Sequence, residues 1–131
     1  MKRLLVLCAL LLVLSMLSAQ TEYWHTYYYG GMFTSDVCLD GSTVWVNSAG
    51  GLMEFNPDTG ERNQYNVNNA PFTTNYIISL CCDRNHKIWA GVLDGARCFD
   101  GETWETYNVD NSTLPTNTVD RIVEDTHGGI W

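Results

Sequence analysis

Short strand-forming stretches separated by turn-forming residues make up most of the chain beyond residue 20. The clearest stretch runs from Asn75 to Cys82, and its alternate side chains would face opposite sides of a strand. Strands are also predicted over residues 87–91, 96–99 and 102–108. The Asp100-Gly101 pair between the last two marks a hairpin turn. This density of short strands and turns predicts an all-β protein and argues against a helical repeat.

The pattern recurs along the chain with a period of 42 to 44 residues. The most regular positions are tryptophans, each preceded by an aspartate five or six residues earlier. An aspartate that opens a hairpin can accept hydrogen bonds from its own backbone, so these positions are expected to be structural. They are Trp45, Trp89 and Trp131, with Asp40, Asp83 and Asp125 before them.

Longer segments keep the same register. Residues 65–71 and 75–83 match residues 107–115 and 117–125. Trp24-His25-Thr26-Tyr27 matches Trp104-Glu105-Thr106-Tyr107, so these two tryptophans are expected to pack between repeats. The repeat units therefore span approximately residues 22–64, 65–106 and 107–131.

A four-stranded antiparallel unit of about 43 residues is typical of a β-propeller blade. Such a sheet cannot bury both faces alone, and stacking against a neighbour fills the gap with side chains such as Ile88, Trp89 and Phe99. The predicted fold is an all-β propeller fragment of about two and a half blades over residues 20–131. A closed propeller has about 4 to 8 blades. We therefore expect a fragment that self-associates through open blade edges, and a small protein that closes by oligomerising is the alternative.

The first 19 residues have the three parts of a secretory signal peptide. A basic start, Met1-Lys2-Arg3, precedes eleven apolar residues from Leu4 to Leu14, and small residues follow up to Ala19. The apolar run is shorter than the roughly 20 residues of a membrane-spanning helix. We expect cleavage after Ala19 and a periplasmic, extracellular or cell-surface location.

The net charge of the chain indicates which classes of partner it is not expected to bind. Fifteen acidic residues against seven Lys and Arg give a formal net charge of −8, and removal of the signal peptide takes away two of the basic residues. This negative charge disfavours nucleic acid and anionic membrane surfaces as partners, and we expect neither.

The repeat resembles the "two-component regulator propeller" repeat. The resemblance rests on Val119-x-x-Ile122-x-x-Asp125-x-x-Gly128-Gly129-Ile130-Trp131 and on its two earlier copies, and it covers essentially residues 22–131. Two places depart from the family pattern: Ala96 stands where a larger apolar residue is usual, and Arg84-Asn85-His86 stands where a Gly-rich turn is usual.

The resemblance implies an exported sensor region of Bacteroidetes-type hybrid two-component systems, with ligands that are often glycan fragments. A membrane helix and a kinase would then lie in a downstream segment. Secreted or surface proteins without a kinase carry the same repeats.

The sequence offers little catalytic chemistry. It contains no serine-hydrolase, zinc-protease or phosphate-loop motif. His86 and His127 fall in equivalent turns and are expected to be exposed there. No Cys-x-x-Cys pair or nearby histidine indicates a metal site. We expect no catalytic residue, no metal and no cofactor.

Four cysteines follow the signal peptide, at positions 38, 81, 82 and 98. In an exported protein they allow three disulfide pairings, and small core residues are the favoured alternative. Cys81 and Cys82 should face opposite ways and not pair with each other.

Aromatic residues near the start of the mature chain are the candidates for ligand contact. Tyr28 and Tyr29 lie off the repeat register, and aromatic rings flanked by amides suit sugar binding. The predicted function is a non-catalytic exported sensor module that binds a ligand, with carbohydrate or another exported protein as partner. A secreted or surface scaffold propeller for protein–protein contact is the alternative.

Overall fold

The computed structural model describes residues 35–131, so the predicted signal peptide over residues 1–19 lies outside this range. The described residues form two four-stranded antiparallel sheets, without a helix. The first sheet, blade 1, consists of β1 (Val37–Asp40), β2 (Thr43–Ser48), β3 (Gly51–Phe55) and β4 (Arg62–Tyr65). The second sheet, blade 2, consists of β5 (Ser79–Cys82), β6 (Ile88–Val92), β7 (Gly95–Phe99) and β8 (Trp104–Tyr107).

Each blade is a simple meander in which every strand pairs with the next one along the chain. The register repeats as well: Trp45 lies opposite Cys38 and Glu54, and Trp89 lies opposite Cys81 and Cys98. The prediction of an all-β fold built from four-stranded antiparallel units is confirmed.

The main core lies between the two blades. Trp45 and Leu52 of blade 1 pack with Leu80, Ile88 and Phe99 of blade 2, and all five are at most 7% exposed. Burial of these apolar side chains between the blades stabilises the pair, because each Å² of apolar surface removed from water contributes roughly 25 cal/mol.

The described part of the third unit is less regular. Residues 118–131 contain one isolated bridge, between Glu124 and Ile130, and no named strand. Val119 and Ile122 are nevertheless buried against Ala96 of blade 2. We call residues 118–131 the half-blade.

The strand predicted over Asn75–Cys82 is too long, because β5 begins at Ser79. Asn75 belongs to the linker between the blades, where its Oδ1 accepts a hydrogen bond from the Val67 amide at 3.1 Å. The other strands of blade 2 differ from the prediction by one or two residues at their ends.

A disulfide joins Cys38 of β1 to Cys82 of β5, with 5.8 Å between the Cα atoms. The interpretation of all four cysteines as small core residues is therefore wrong for this pair. Cys81 and Cys98 carry free thiols, and Cys98 is buried. Cys82 faces blade 1 and Cys81 faces the half-blade, because neighbouring side chains in a strand alternate. A covalent bond thus links the two blades at their innermost strands.

Candidate functional site

The repeated aspartates organise the hairpin turns of blade 2 and the half-blade. The Oδ1 atom of Asp83 accepts hydrogen bonds from the amides of Asn85 and Lys87 at 2.8 and 3.0 Å. Its Oδ2 atom accepts one from the Trp89 indole at 2.9 Å. Asp125 repeats the pattern, accepting at 2.7 to 2.8 Å from the amides of His127 and Gly129 and from the Trp131 indole.

These contacts hold both aspartates in their charged form. Burial alone would raise the pKa of Asp83, but the Trp89 indole and the backbone amides lower it. The pKa of Asp125 is lowered first by its bond from Trp131 and then by the amides of Gly129 and His127. An aspartate with its oxygens occupied in this way is a poor general base, so these sites build the turn.

Asp40 does not bond the indole of its tryptophan as Asp83 and Asp125 do. Its turn is one residue shorter, and the Trp45 indole nitrogen is buried without a hydrogen-bond partner among residues 35–131. The Oδ1 atom of Asp40 instead lies 2.5 Å from Nδ1 of His86 in the turn of blade 2. His86 is exposed, as expected for a turn histidine, but it bonds the neighbouring blade.

A matching contact joins blade 2 to the half-blade. Arg84 Nε donates to Glu124 at 2.6 Å, and its terminal nitrogens donate to the carbonyls of Asp125 and Thr126. The single turn between β5 and β6 therefore contacts blade 1 through His86 and the half-blade through Arg84.

The linkers between the blades, residues 66–78 and 108–117, lie at the end of the sheets opposite to these turns and are rich in asparagine. Asn66 and Asn69 close the first linker through side-chain bonds to the backbone, and Asn108 and Asn111 close the second in the same way. These amides are engaged in the turns, so the best-matching segment of the repeat encodes a turn and not a ligand site.

Asn47 and Arg97 are buried polar side chains that the sequence does not mark as such. Asn47 is 2% exposed and donates to the carbonyl of Ile77 at 2.8 Å. Arg97 is also 2% exposed, and it donates to the carbonyl of Pro71 at 2.6 Å and to Asp94 at 2.7 Å. The two carbonyls lie 30 and 26 residues away along the chain, so no local pattern reveals these two bonds, whereas Asp94 is three residues from Arg97.

A polar cleft of about 420 Å³ lies on blade 1, at the end that carries the β3–β4 turn. Six residues line it: Thr43, Glu54, Asn56, Glu61, Arg62 and Asn63. They combine two carboxylates, a guanidinium, two amides and a hydroxyl, and so offer hydrogen-bond donors and acceptors side by side. We call this feature the blade 1 cleft.

Glu54 is the best-positioned residue of the blade 1 cleft. Its Oε2 atom accepts hydrogen bonds from Asn63 and from the Tyr65 hydroxyl, both at 3.0 Å. Burial, together with the bond to Glu54, raises the pKa of Tyr65 to about 12. The tyrosine thus stays neutral and fixes the carboxylate in one orientation.

The two tyrosines proposed as ligand contacts, Tyr28 and Tyr29, lie outside the described residues. Residues 35–131 contain no cluster of three or more His, Cys, Asp or Glu side chains suited to a metal ion. In the same range no helix is long and apolar enough to cross a membrane.

Solved structures of exported domains share this fold. The extracellular domain of BT3049, assigned to a hybrid two-component system of B. thetaiotaomicron, superposes with a TM-score of 0.66 at 20% identity. The match covers 82% of this chain and 16% of that one. The extracellular domain of BT4673 from the same organism gives a TM-score of 0.63 at 24% identity, over 83% of this chain and 15% of that one. This chain therefore spans about one sixth of the length of these domains.

A different kind of protein is also similar. A catalytically inactive variant of virginiamycin B lyase from Staphylococcus aureus, solved with quinupristin, gives a TM-score of 0.59 at 16% identity. The match covers 75% of this chain and 33% of the lyase. No protein-family model and no curated protein matches the chain. The structural likenesses establish the propeller-type fold and match the resemblance seen in the repeat.

Proposed function

We propose that this chain is a non-catalytic, exported sensor module, the propeller part of a two-component regulator-type protein. The likeness to the extracellular domains of BT3049 and BT4673 over more than four fifths of the chain is the observation that carries the proposal. A sensor needs a rigid frame and a binding surface but no reacting group. Two blades joined by a shared core and a disulfide supply such a frame.

The ligand class that we propose is carbohydrate, bound in the blade 1 cleft. Sugar hydroxyls both donate and accept hydrogen bonds, which suits a lining that mixes Glu54 with the Asn63 amide and the Arg62 guanidinium. A volume of about 420 Å³ falls within the range of small-molecule sites. The fixed Glu54 carboxylate would serve as an acceptor whose geometry is set before the ligand arrives.

Binding can be measured by NMR on the mature chain with a panel of neutral, acidic and amino oligosaccharides. We expect amide shifts around Glu54 and Asn63 with at least one sugar class, and weaker binding by Glu54→Gln. Glu105→Gln is a matched control, because Glu105 accepts a tyrosine hydroxyl in blade 2 but does not line the cleft. Absence of shifts with every sugar, or an equal loss in both variants, would contradict a carbohydrate site here.

A scaffold that contacts another exported protein is the second candidate. Four apolar side chains are 42% to 64% exposed at the end of the sheets that carries the linkers: Val67, Tyr76, Leu93 and Val109. Isolated exposed apolar residues are common, but Val67 and Val109 occupy equivalent repeat positions. If this surface binds a protein, Val67→Asp together with Val109→Asp abolishes that binding and leaves sugar binding intact.

Self-association through open blade edges is a further part of the proposal. Val123 and Trp131 of the half-blade are 48% and 76% exposed, and they lie where another strand or blade would pack. Sedimentation at increasing protein concentration tests it, and a monomer at all concentrations would exclude it.

A further inference from the structure

Asp40, at the turn between β1 and β2, bonds a donor of the neighbouring blade and leaves a donor of its own blade unbonded. Its Oδ1 atom lies 2.5 Å from Nδ1 of His86, in the turn of blade 2. The unbonded donor is the Trp45 indole, whose nitrogen is buried without a hydrogen-bond partner among residues 35–131. Two donors are therefore available to one carboxylate.

The register of blade 1 brings the Trp45 indole within reach of Asp40. Asp40 pairs with Thr43 across the β1–β2 hairpin, so it lies diagonally from Trp45, two residues further on. Cys38 is the direct partner of Trp45, and Asp40 shares the face of Cys38 because side chains alternate along a strand. Diagonal neighbours on one face of a sheet are close enough for long and aromatic side chains to meet.

The other two copies of the repeat show the alternative arrangement. Asp83 accepts a hydrogen bond from the Trp89 indole at 2.9 Å, and Asp125 accepts one from the Trp131 indole at 2.8 Å. Among the three repeated aspartates, only Asp40 directs its carboxylate to a neighbouring blade. The bond from tryptophan to aspartate is thus an arrangement that this turn can adopt, and His86 competes with it in blade 1.

The two arrangements of Asp40 are stabilised in different ways. The His86 side chain is 77% exposed, so water and ions weaken its contact with Asp40. Trp45 is 4% exposed, and a buried donor without an acceptor lowers the stability of the fold. A protonated His86 favours the first arrangement, because a hydrogen bond between two charged groups is stronger than one with a neutral ring. Loss of the proton removes that advantage, and the buried indole becomes the better donor.

The charges around His86 leave Asp40 as its main partner. The hydrogen bond with Asp40 and the charge of that carboxylate raise the pKa of His86, and the charge of Asp83 in the same turn adds to the rise. The Asp83 oxygens are already occupied within blade 2. The turn also carries two cations, and each interacts with a carboxylate other than that of Asp40: Arg84 with Glu124 of the half-blade, and Lys87 with Asp83.

We infer that Asp40 exchanges partners when His86 loses its proton, bonding His86 at low pH and the Trp45 indole at high pH. In the first arrangement the turns of the two blades are linked, and in the second each blade keeps its own pair of aspartate and tryptophan. The Cys38–Cys82 disulfide joins the innermost strands in both arrangements, so the blades stay paired while the contact between their turns responds to pH. This inference does not depend on the proposed sensor role or on its ligand.

NMR of the tryptophan indole groups of the mature chain tests the inference. The Trp45 signal is identified by its loss in Trp45→Phe, and the His86 ring is followed in the same series from about pH 5 to about pH 9. We expect the Trp45 indole proton to shift downfield as the pH rises, because it gains a hydrogen bond, with the same midpoint as the His86 ring. The Trp89 indole is the internal control, since Asp83 already accepts from it and its signal should not move.

Three variants separate an exchange of partners from a general effect of pH. His86→Gly removes the ring at a φ of 64° that suits glycine, and the Trp45 indole should then keep its high-pH signal throughout. Asp40→Ala removes the acceptor and should hold the Trp45 indole at its low-pH signal. His127→Gln is the matched control, because His127 lies in the equivalent turn and bonds only within the half-blade, so the Trp45 shift should persist.

The titration of the native protein decides the matter even where a variant does not fold. A Trp45 signal that stays constant while the His86 ring titrates would overturn the inference. An equal shift in His86→Gly, or loss of the shift in His127→Gln, would overturn it as well, because the proton on His86 would then not control the Trp45 indole.

Discussion

The Nδ1 atom of His86 lies 2.5 Å from the Oδ1 atom of Asp40, and this contact bonds the turn of blade 2 to the turn of blade 1. His86 has a φ of 64°, in the left-handed region that side chains other than glycine seldom adopt. The equivalent position in the half-blade is Gly128, with a φ of 88°. A histidine therefore replaces the favoured glycine at the turn position where its ring reaches the preceding blade.

The His86–Asp40 contact predicts a pH dependence of stability. The pKa of His86 is raised, first by its hydrogen bond with Asp40 and then by the charge of that carboxylate. Such a histidine stabilises the fold fully below its unfolded pKa of about 6.5, and the contribution is lost as pH rises through the higher folded value. We expect the native protein to have a higher free energy of unfolding than Asp40→Asn at pH of about 6, and we expect this difference to vanish as the pH rises to about 8. The effect is small because the histidine is exposed to water and ions.

Urea denaturation at stepped pH measures this advantage. His86→Gly is a useful companion, since it removes the ring and relieves the positive φ together. Parallel pH profiles for the native protein and Asp40→Asn would show that the contact does not stabilise the fold.

The Cys38–Cys82 disulfide is expected to contribute strongly to stability. It closes a chain segment with a sequence separation of 44, for which the loss of unfolded-chain entropy corresponds to about 4 kcal/mol. Reduction should therefore lower the urea midpoint of the native protein, and Cys38→Ser with Cys82→Ser should have the lower midpoint with or without reductant. Cys81→Ser is the control, because that neighbouring thiol is free. A native midpoint that does not respond to full reduction would contradict the prediction.

The fold could be predicted from the sequence because its signals are local and repeated. Asp83 and Trp89 are six residues apart, and a single turn brings their side chains together. The same spacing at Asp125 and Trp131 gives the same contact, so a pattern seen twice in the sequence is seen twice in the structure.

Contacts between blades could not be predicted in this way. Asp40 and His86 are 46 residues apart, and their pairing depends on one missing residue in the first turn. The pairing of Cys38 with Cys82, rather than with another cysteine, depends on which face of β5 points toward blade 1. The blade 1 cleft likewise combines residues of three strands and a turn, none of which carries a motif.

Trp45 and Trp89 should respond differently to replacement by phenylalanine. The Trp89 indole donates to Asp83, whereas the buried Trp45 indole nitrogen has no hydrogen-bond partner in the described part of the chain. Both changes remove the same volume, but only Trp89→Phe removes a hydrogen bond, worth about 1 kcal/mol. We expect Trp89→Phe to be the more destabilising in urea denaturation. A greater loss for Trp45→Phe would mean that the deeper burial of Trp45, which is 4% exposed while Trp89 is half-buried, outweighs the hydrogen bond of Trp89.

Gly95 and Gly101 provide a test of close backbone packing. Both have positive φ, 126° and 99°, so alanine is strained at either position. A Cβ atom at Gly95 would lie 2.0 Å from the Tyr107 carbonyl oxygen, while one at Gly101 meets open space. Gly101→Ala should cost about 1 kcal/mol, and Gly95→Ala should cost several times more or prevent folding of blade 2. Comparable thermal stability of the two variants would contradict the β7–β8 register.

Arg97 should hold the linker between the blades as well as stabilise blade 2. Its guanidinium is buried, and it bonds the carbonyl of Pro71 in the linker and the carboxylate of Asp94 in the β6–β7 turn. Removing one member of a buried ion pair costs roughly 3–5 kcal/mol, and the lower end applies because Asp94 reaches water. We expect Arg97→Ala to lose about 3 kcal/mol of unfolding free energy.

Arg97→Met separates the two roles of this side chain. In blade 1 the equivalent position is Met53, since Met53 pairs with Val46 as Arg97 pairs with Ala90. Methionine would restore apolar packing without bonding the linker, so Arg97→Met should recover part of the stability that Arg97→Ala loses. Hydrogen exchange at the Phe72 amide, next to Pro71, should be faster in both variants to a similar degree. If Arg97→Met restored slow exchange there, packing rather than the bond to the Pro71 carbonyl would be what holds the linker.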